Sequence, residues 1–226
     1  MGTDKQSGRR KRLAERKAET RSPKADSFLI ITEGTKTEPC YFNGLAEYVN
    51  KNHGKSIEVR KLTLDTHGEG KSTTSLVREA KRIAARAPIL YNQIWILFDK
   101  DDNNDFDGAI EECNTLSYEA GWSNQSFEFW LFLHFEYSDS ALHRDEWYDK
   151  LNRIFKAKGI QSPGYQKNDP KLFEHVTAGG GLKKAVRNAE KIYNKYKEDM
   201  PPSRKDPCTT VHLLIKELSP WIQELL

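Results

Sequence analysis

Short apolar runs alternate with helical repeats along this chain, and their order predicts an alternating α/β fold. Residues 27–34 (SFLIITEG) are an apolar run bounded by charge and closed by Gly34, the pattern of a buried strand. In residues 37–52, Tyr41, Leu45 and Val49 recur at helical spacing, with Thr37 as the expected N-cap and Pro39 near the first turn. Residues 56–64 (SIEVRKLTL) alternate apolar and polar, which predicts a second strand. Residues 73–87 (TTSLVREAKRIAARA) predict an amphipathic helix, and residues 93–99 (QIWILFD) a third strand. A helix over 105–121, closed by Gly121, is expected next. Residues 121–136 (GWSNQSFEFWLFLHFE) predict a short strand and then a buried helix from Phe127. Three later segments, 145–159, 181–198 and 209–226, predict a helical tail packed on the core.

Strands separated by helices of this length imply parallel pairing with right-handed crossovers. The expected organisation is a basic arm over 1–25, an α/β core over 26–137 with helices on both sheet faces, and a mainly helical region over 138–226. In open parallel sheets, ligands bind outside the carboxyl ends of the strands. Glu33 follows the first predicted strand, and Asp99 and Asp101 close the third.

Composition narrows the function classes. The chain has 226 residues, enough for one sizeable core. No apolar stretch reaches the roughly 18–20 residues of a membrane span. The opening residues, MGTDKQSGRRKRLAERK, have no apolar core and do not read as a secretory signal. The three cysteines, Cys40, Cys113 and Cys208, form no CxxC pair, which fits the reduced thiols of a cytoplasm. Charge is uneven: residues 1–25 hold nine Lys/Arg against three acids, so the overall +3 comes from this arm. Arg9, Arg10, Lys11 and Arg12 are its densest stretch and can contact nucleic-acid phosphates; a solvated leader is the alternative.

Several motifs fail on inspection. Residues 65–73 (DTHGEGKST) resemble a Walker A loop, but Asp65 stands where the first glycine belongs and would repel phosphate. DKDDNND lacks the glycine at position 6 and the glutamate at position 12 of a calcium loop. No HExxH, GxSxG or paired-cysteine zinc pattern is present.

The surviving constellation is ITEGTKTEP after the first strand and LFDKDDNND after the third. In an extended chain Asp99 and Asp101 point the same way, so both can reach a site shared with Glu33. Three carboxylates offer hard oxygen ligands suited to Mg²⁺ or Mn²⁺. Glu38, in the first turn of the following helix, can help hold a second ion or act as a base. Lys36 and Lys167 can offer charge to a phosphate. Glu128, set among aromatics, either extends the metal site or forms a core salt bridge. His134 and His212 read as core histidines. Asp102 reads as solvated, Asp105 as a cap of the next helix and Asp107 as part of its first turn.

The segments EGTKTEPCYF, FDKDDNNDF, SNQSFEFWLFLHF, GYQKNDP and DPCTTVHLLIKEL occur in this order. A Glu-Gly and then a DxD resemble the Toprim domain of topoisomerases, primases and OLD-type nucleases. The five segments together resemble the RloB-like family more closely. That resemblance implies a Toprim-like fold, a bacterial or archaeal cytoplasmic protein, and an association with restriction-modification or abortive-infection loci. It also implies an ATPase partner of the RloA or OLD-like type. By motif match Glu33, Asp99 and Asp101 take the metal role, and Glu38 is a second-metal ligand or base. Gln125 replaces the proline frequent in the family's SNPxFE.

Three function classes follow. The first is a metal-dependent nuclease on DNA or RNA in phage defence. The second is a non-catalytic module that binds nucleic acid or nucleotide and regulates the ATPase. The third is phosphotransfer on a small nucleotide, since Toprim-type sites serve several reactions. No membrane partner is expected, and oligomerisation is left open.

Overall fold

The computed structural model describes residues 24–54, 56–61 and 73–226. Arg9, Arg10, Lys11 and Arg12, and the loop over 65–72, lie outside them. Five described strands make one sheet: β1 Lys24–Thr32, β2 Ser56–Lys61, β3 Tyr91–Asp99, β4 Glu119–Asn124 and β5 Cys208–Thr209. Their order is β2-β1-β3-β4-β5. The first three pairings are parallel and β4–β5 is antiparallel. The architecture is therefore α/β with a mostly parallel sheet, in keeping with a Toprim-like core.

Eight α-helices are described: α1 Thr37–His53, α2 Thr73–Arg86, α3 Phe106–Thr115, α4 Phe127–Leu133, α5 Arg144–Ala157, α6 Leu172–Gly179, α7 Leu182–Tyr193 and α8 Val211–Glu217. None is long and apolar enough to cross a membrane.

Strand side chains sort by parity. Phe28, Ile30, Trp95 and Leu97 face Tyr41, Phe42 and Leu45 of α1 and the apolar residues of α4. Leu29, Ile31, Ile96 and Phe98 face Leu76 and Val77 of α2 and Phe106 of α3. Successive strand residues point to opposite faces, so a sheet covered on both sides reads as an unbroken apolar run. Each large side chain so buried contributes about 1.5–3 kcal/mol. Val211, Leu214, Ile215, Leu218 and Ile222 of the tail are buried in the α1 side of this core.

Four local expectations change. The tail contributes β5, because a strand of two residues carries too little pattern to be read. Helix α3 stops at Thr115, and Gly121 lies in β4 instead of closing it. There a Cβ would come within 3.1 Å of Leu97 Cγ, so the glycine admits the neighbouring strand's side chain. Lys36, not Thr37, occupies the N-cap of α1, without a side-chain cap bond. The short helix α6 follows GYQKNDP and buries Leu172, Phe173 and Val176.

Asp105 does sit at the N-cap of α3, but its carboxylate serves another helix. It accepts from the backbone amides of Thr73 (3.1 Å) and Thr74 (2.8 Å) at the start of α2. The first amides of a helix lack internal partners, so this bond ties α2 to the head of α3. Asp105→Ala should cost about 1 kcal/mol, with a melting temperature about 2–4 °C lower. Asp105→Asn should keep most of the loss at bay. Urea unfolding of both variants, with Asp102→Ala as an exposed control, checks this.

Candidate functional site

β1 and β3 lie side by side, with Thr32 paired to Leu97 and the Glu33 amide donating to the Leu97 carbonyl at 2.8 Å. The chain places β2 on one side of β1 and β3 on the other, so the crevice of this sheet opens at their carboxyl ends. Glu33 Oε2 accepts from the Asp99 amide at 3.3 Å. Asp99 Oδ2 in turn accepts from the Phe127 amide, at the start of α4, at 3.1 Å. The next residue, Glu128, is buried beside it.

Glu38, also buried, reaches back from the first turn of α1. Its carboxylate packs so tightly on Gly34 that a Cβ there would overlap it. A side chain at position 34 would have to displace the end of the Glu38 side chain. Gly34, Lys36, Glu38, Asp99, Glu128 and Lys167 line a cavity of about 220 Å³. A larger one of about 710 Å³, between α1 and α6, is lined by Tyr48, Phe173 and mixed charges and gathers no comparable set of carboxylates.

Glu128 forms the salt bridge that its sequence context allowed. It lines the cavity, and its Oε1 takes Lys167 Nζ at 3.0 Å and the Tyr165 hydroxyl at 3.2 Å. Tyr165 is fully buried and so addresses Glu128, not solvent. Lys36 is exposed at the cavity mouth.

Asp101 departs from the extended geometry expected of it. Its φ is 37°, a left-handed turn just past the end of β3, so alternation along the chain stops there. Its amide donates to the Gln125 carbonyl at 3.2 Å, and Arg144 Nη1 of α5 lies 3.1 Å from its Oδ2. Its Oδ1 is buried without a hydrogen-bond partner. Asp101 is not on the cavity wall, although its charge acts on Asp99. Asp102 is exposed, as expected. Asp107 holds Ser203 through its amide (2.8 Å) and hydroxyl (2.6 Å).

The electrostatics follow from this crowding. Burial, opposed by a bond to its own backbone amide and reinforced by the charges of Glu128 and Glu33, pushes Glu38 up to about 7. Burial first, then Glu38, Glu128 and Asp101, hold Asp99 well above the ordinary carboxylate range. Asp101 is also raised, because burial outweighs Arg144. Desolvation pulls Lys167 down, but the charge and hydrogen bond of Glu128 prevail and raise it. His134, 3.3 Å from the Tyr41 hydroxyl, and His212 are both pushed down to about 4 by burial and belong to the core.

The donor set is carboxylate oxygen throughout, the chemistry of Mg²⁺ and Mn²⁺. The buried Oδ1 of Asp101 has no hydrogen-bond partner and is an acceptor that a cation could use. Among the described residues, no three His, Cys, Asp or Glu side chains already close around one point. The set fits a divalent ion by the chemistry and charge of its donors. The sequence leaves Glu128 between a metal ligand and a core salt bridge, and gives no expectation for Arg144. The signal for Glu128 was a carboxylate inside FEFW; Arg144 carries none.

A family model described as RloB-like protein matches residues 28–218, most of the chain. A search of curated proteins returns no match.

Because the folded-state pKa of Glu38 is raised, its contribution to stability is fully present below the ordinary value of 4.5 and lost as pH rises through about 7. The metal-free protein should therefore lose stability across that window, and Glu38→Gln should flatten the loss. Urea unfolding at stepped pH in the presence of a chelator measures both.

Proposed function

The chain belongs to the RloB-like protein family, and we propose that it is a Mg²⁺- or Mn²⁺-dependent, Toprim-type nuclease of DNA or RNA. We place it in bacterial phage defence or abortive infection, working with an ATPase partner of the RloA or OLD-like type. The observation that carries this reading is the convergence of Glu38, Asp99 and Glu128 on one cavity at the carboxyl ends of β1 and β3, with Glu33 bonded to the Asp99 amide. Buried like charges of this kind call for a counter-charge.

In this reading Glu33, Asp99 and Asp101 hold the ion, and Glu128 adds a further carboxylate. A bound Mg²⁺ or Mn²⁺ would polarise a phosphoryl oxygen and lower the pKa of bound water. Glu38, once ionised beside the bound ion, could accept a proton from the attacking water. Lys36 and Lys167 offer ammonium groups to the phosphodiester. The arm over 1–25 adds contacts to the phosphate backbone whose strength falls with salt.

Cleavage of DNA and RNA should therefore require Mg²⁺ or Mn²⁺ and fall by about 100-fold or more in Asp99→Ala and Asp101→Ala. Assays with and without the ATPase partner check this. Deleting residues 1–23, which stops short of β1, should weaken nucleic-acid binding and flatten its salt dependence. Binding without cleavage under every condition, with wild type as inert as both variants, would leave the non-catalytic regulatory module as the standing reading.

A further inference from the structure

The acidic cavity already holds a cation of the chain's own. Lys167 comes from the loop joining α5 to α6, and its Nζ lies 3.0 Å from Glu128 Oε1. The two partners differ in freedom. Glu128 is 4% exposed, and the same oxygen accepts from the Tyr165 hydroxyl at 3.2 Å. Tyr165 is itself packed between the rings of Tyr148 and Phe155, with centroids 5.3 Å and 5.5 Å away. The carboxylate is thus held in place. The Lys167 side chain is 50% exposed, on a flexible four-carbon stem. The face of Tyr148, 5.9 Å from Nζ, offers an attraction that involves no carboxylate.

We propose that Lys167 is a displaceable internal counter-ion, which neutralises Glu128 while the cavity lacks a metal and yields that carboxylate to an incoming divalent cation. This rests on the metal-site reading above. An ammonium within a few ångströms of a divalent ion repels it strongly at the effective dielectric of a half-buried site. Both cannot keep the same oxygen of Glu128. The ammonium, being the mobile member, moves toward the solvent side of the cavity, where a substrate phosphate arrives. The device keeps buried carboxylates neutralised during folding without closing the site to metal.

Isothermal titration with Mn²⁺ at pH 8, on the full chain, tests the idea. Lys167→Met should bind Mn²⁺ about tenfold more tightly than wild type, and should melt lower without metal. Lys183→Met, which removes an exposed lysine of α7 that does not line the cavity, should stay within about twofold of wild type. Lys167→Arg should bind Mn²⁺ more weakly, since a guanidinium fork holds a carboxylate more firmly; it supplies the answer if Lys167→Met fails to fold. Unchanged or weaker binding by Lys167→Met, equal tightening in Lys183→Met, or no weakening in Lys167→Arg would each overturn the counter-ion role while leaving the metal site standing. No Mn²⁺ binding by any of the proteins, wild type included, would overturn both.

Discussion

Repulsion among carboxylates at one end of the sheet is the constraint that the surrounding structure answers. Glu33, Glu38, Asp99, Asp101 and Glu128 crowd the carboxyl ends of β1 and β3 and the first turns that follow. Four of the five have a partner elsewhere in the fold. Glu33 takes the Asp99 amide, and Asp99 takes the Phe127 amide. Asp101 takes Arg144, and Glu128 takes Lys167 and Tyr165. What these partners leave uncompensated appears as the raised pKa values of Glu38 and Asp99. A divalent ion would remove that repulsion, and the proposed metal site rests on this.

Both cationic partners come from the second half of the chain. Arg144 opens α5, and Lys167 lies in the loop after it. The helical tail therefore does more than cover one face of the sheet: it supplies charge to the site and, through β5, extends the sheet beside β4. The rest of the support is rigid. Asp99 ends a strand buried on both faces, and Glu38 and Glu128 stand in the first turns of helices packed in the same core. Side chains held this way meet the positional demands of metal-assisted chemistry better than loop residues would.

The run of acids from Asp99 to Asp107 separates into distinct tasks in three dimensions. Asp99 binds the start of α4 and faces the cavity. Asp101 turns to Arg144, and Asp102 is exposed. Asp105 caps α2, and Asp107 pins the turn at Ser203. Capping by carboxylates disperses like charges that would otherwise oppose one another.

The alternation of strands and helices, the two-faced burial of β1 and β3, and the placement of Glu33 and Asp99 at adjacent carboxyl ends were legible in the sequence. Each depends on local periodicity or on the few residues that end an element. Tertiary structure alone decided that Asp101 leaves the strand direction, that Asp105 caps a different helix, and that Glu128 enters the cavity already paired to Lys167. It also added β5, too short to show a period. A charged side chain carries no mark of its partner in the sequence. The partner is selected when segments far apart in the chain pack together, and the cost of burying an unpaired charge makes that selection strict.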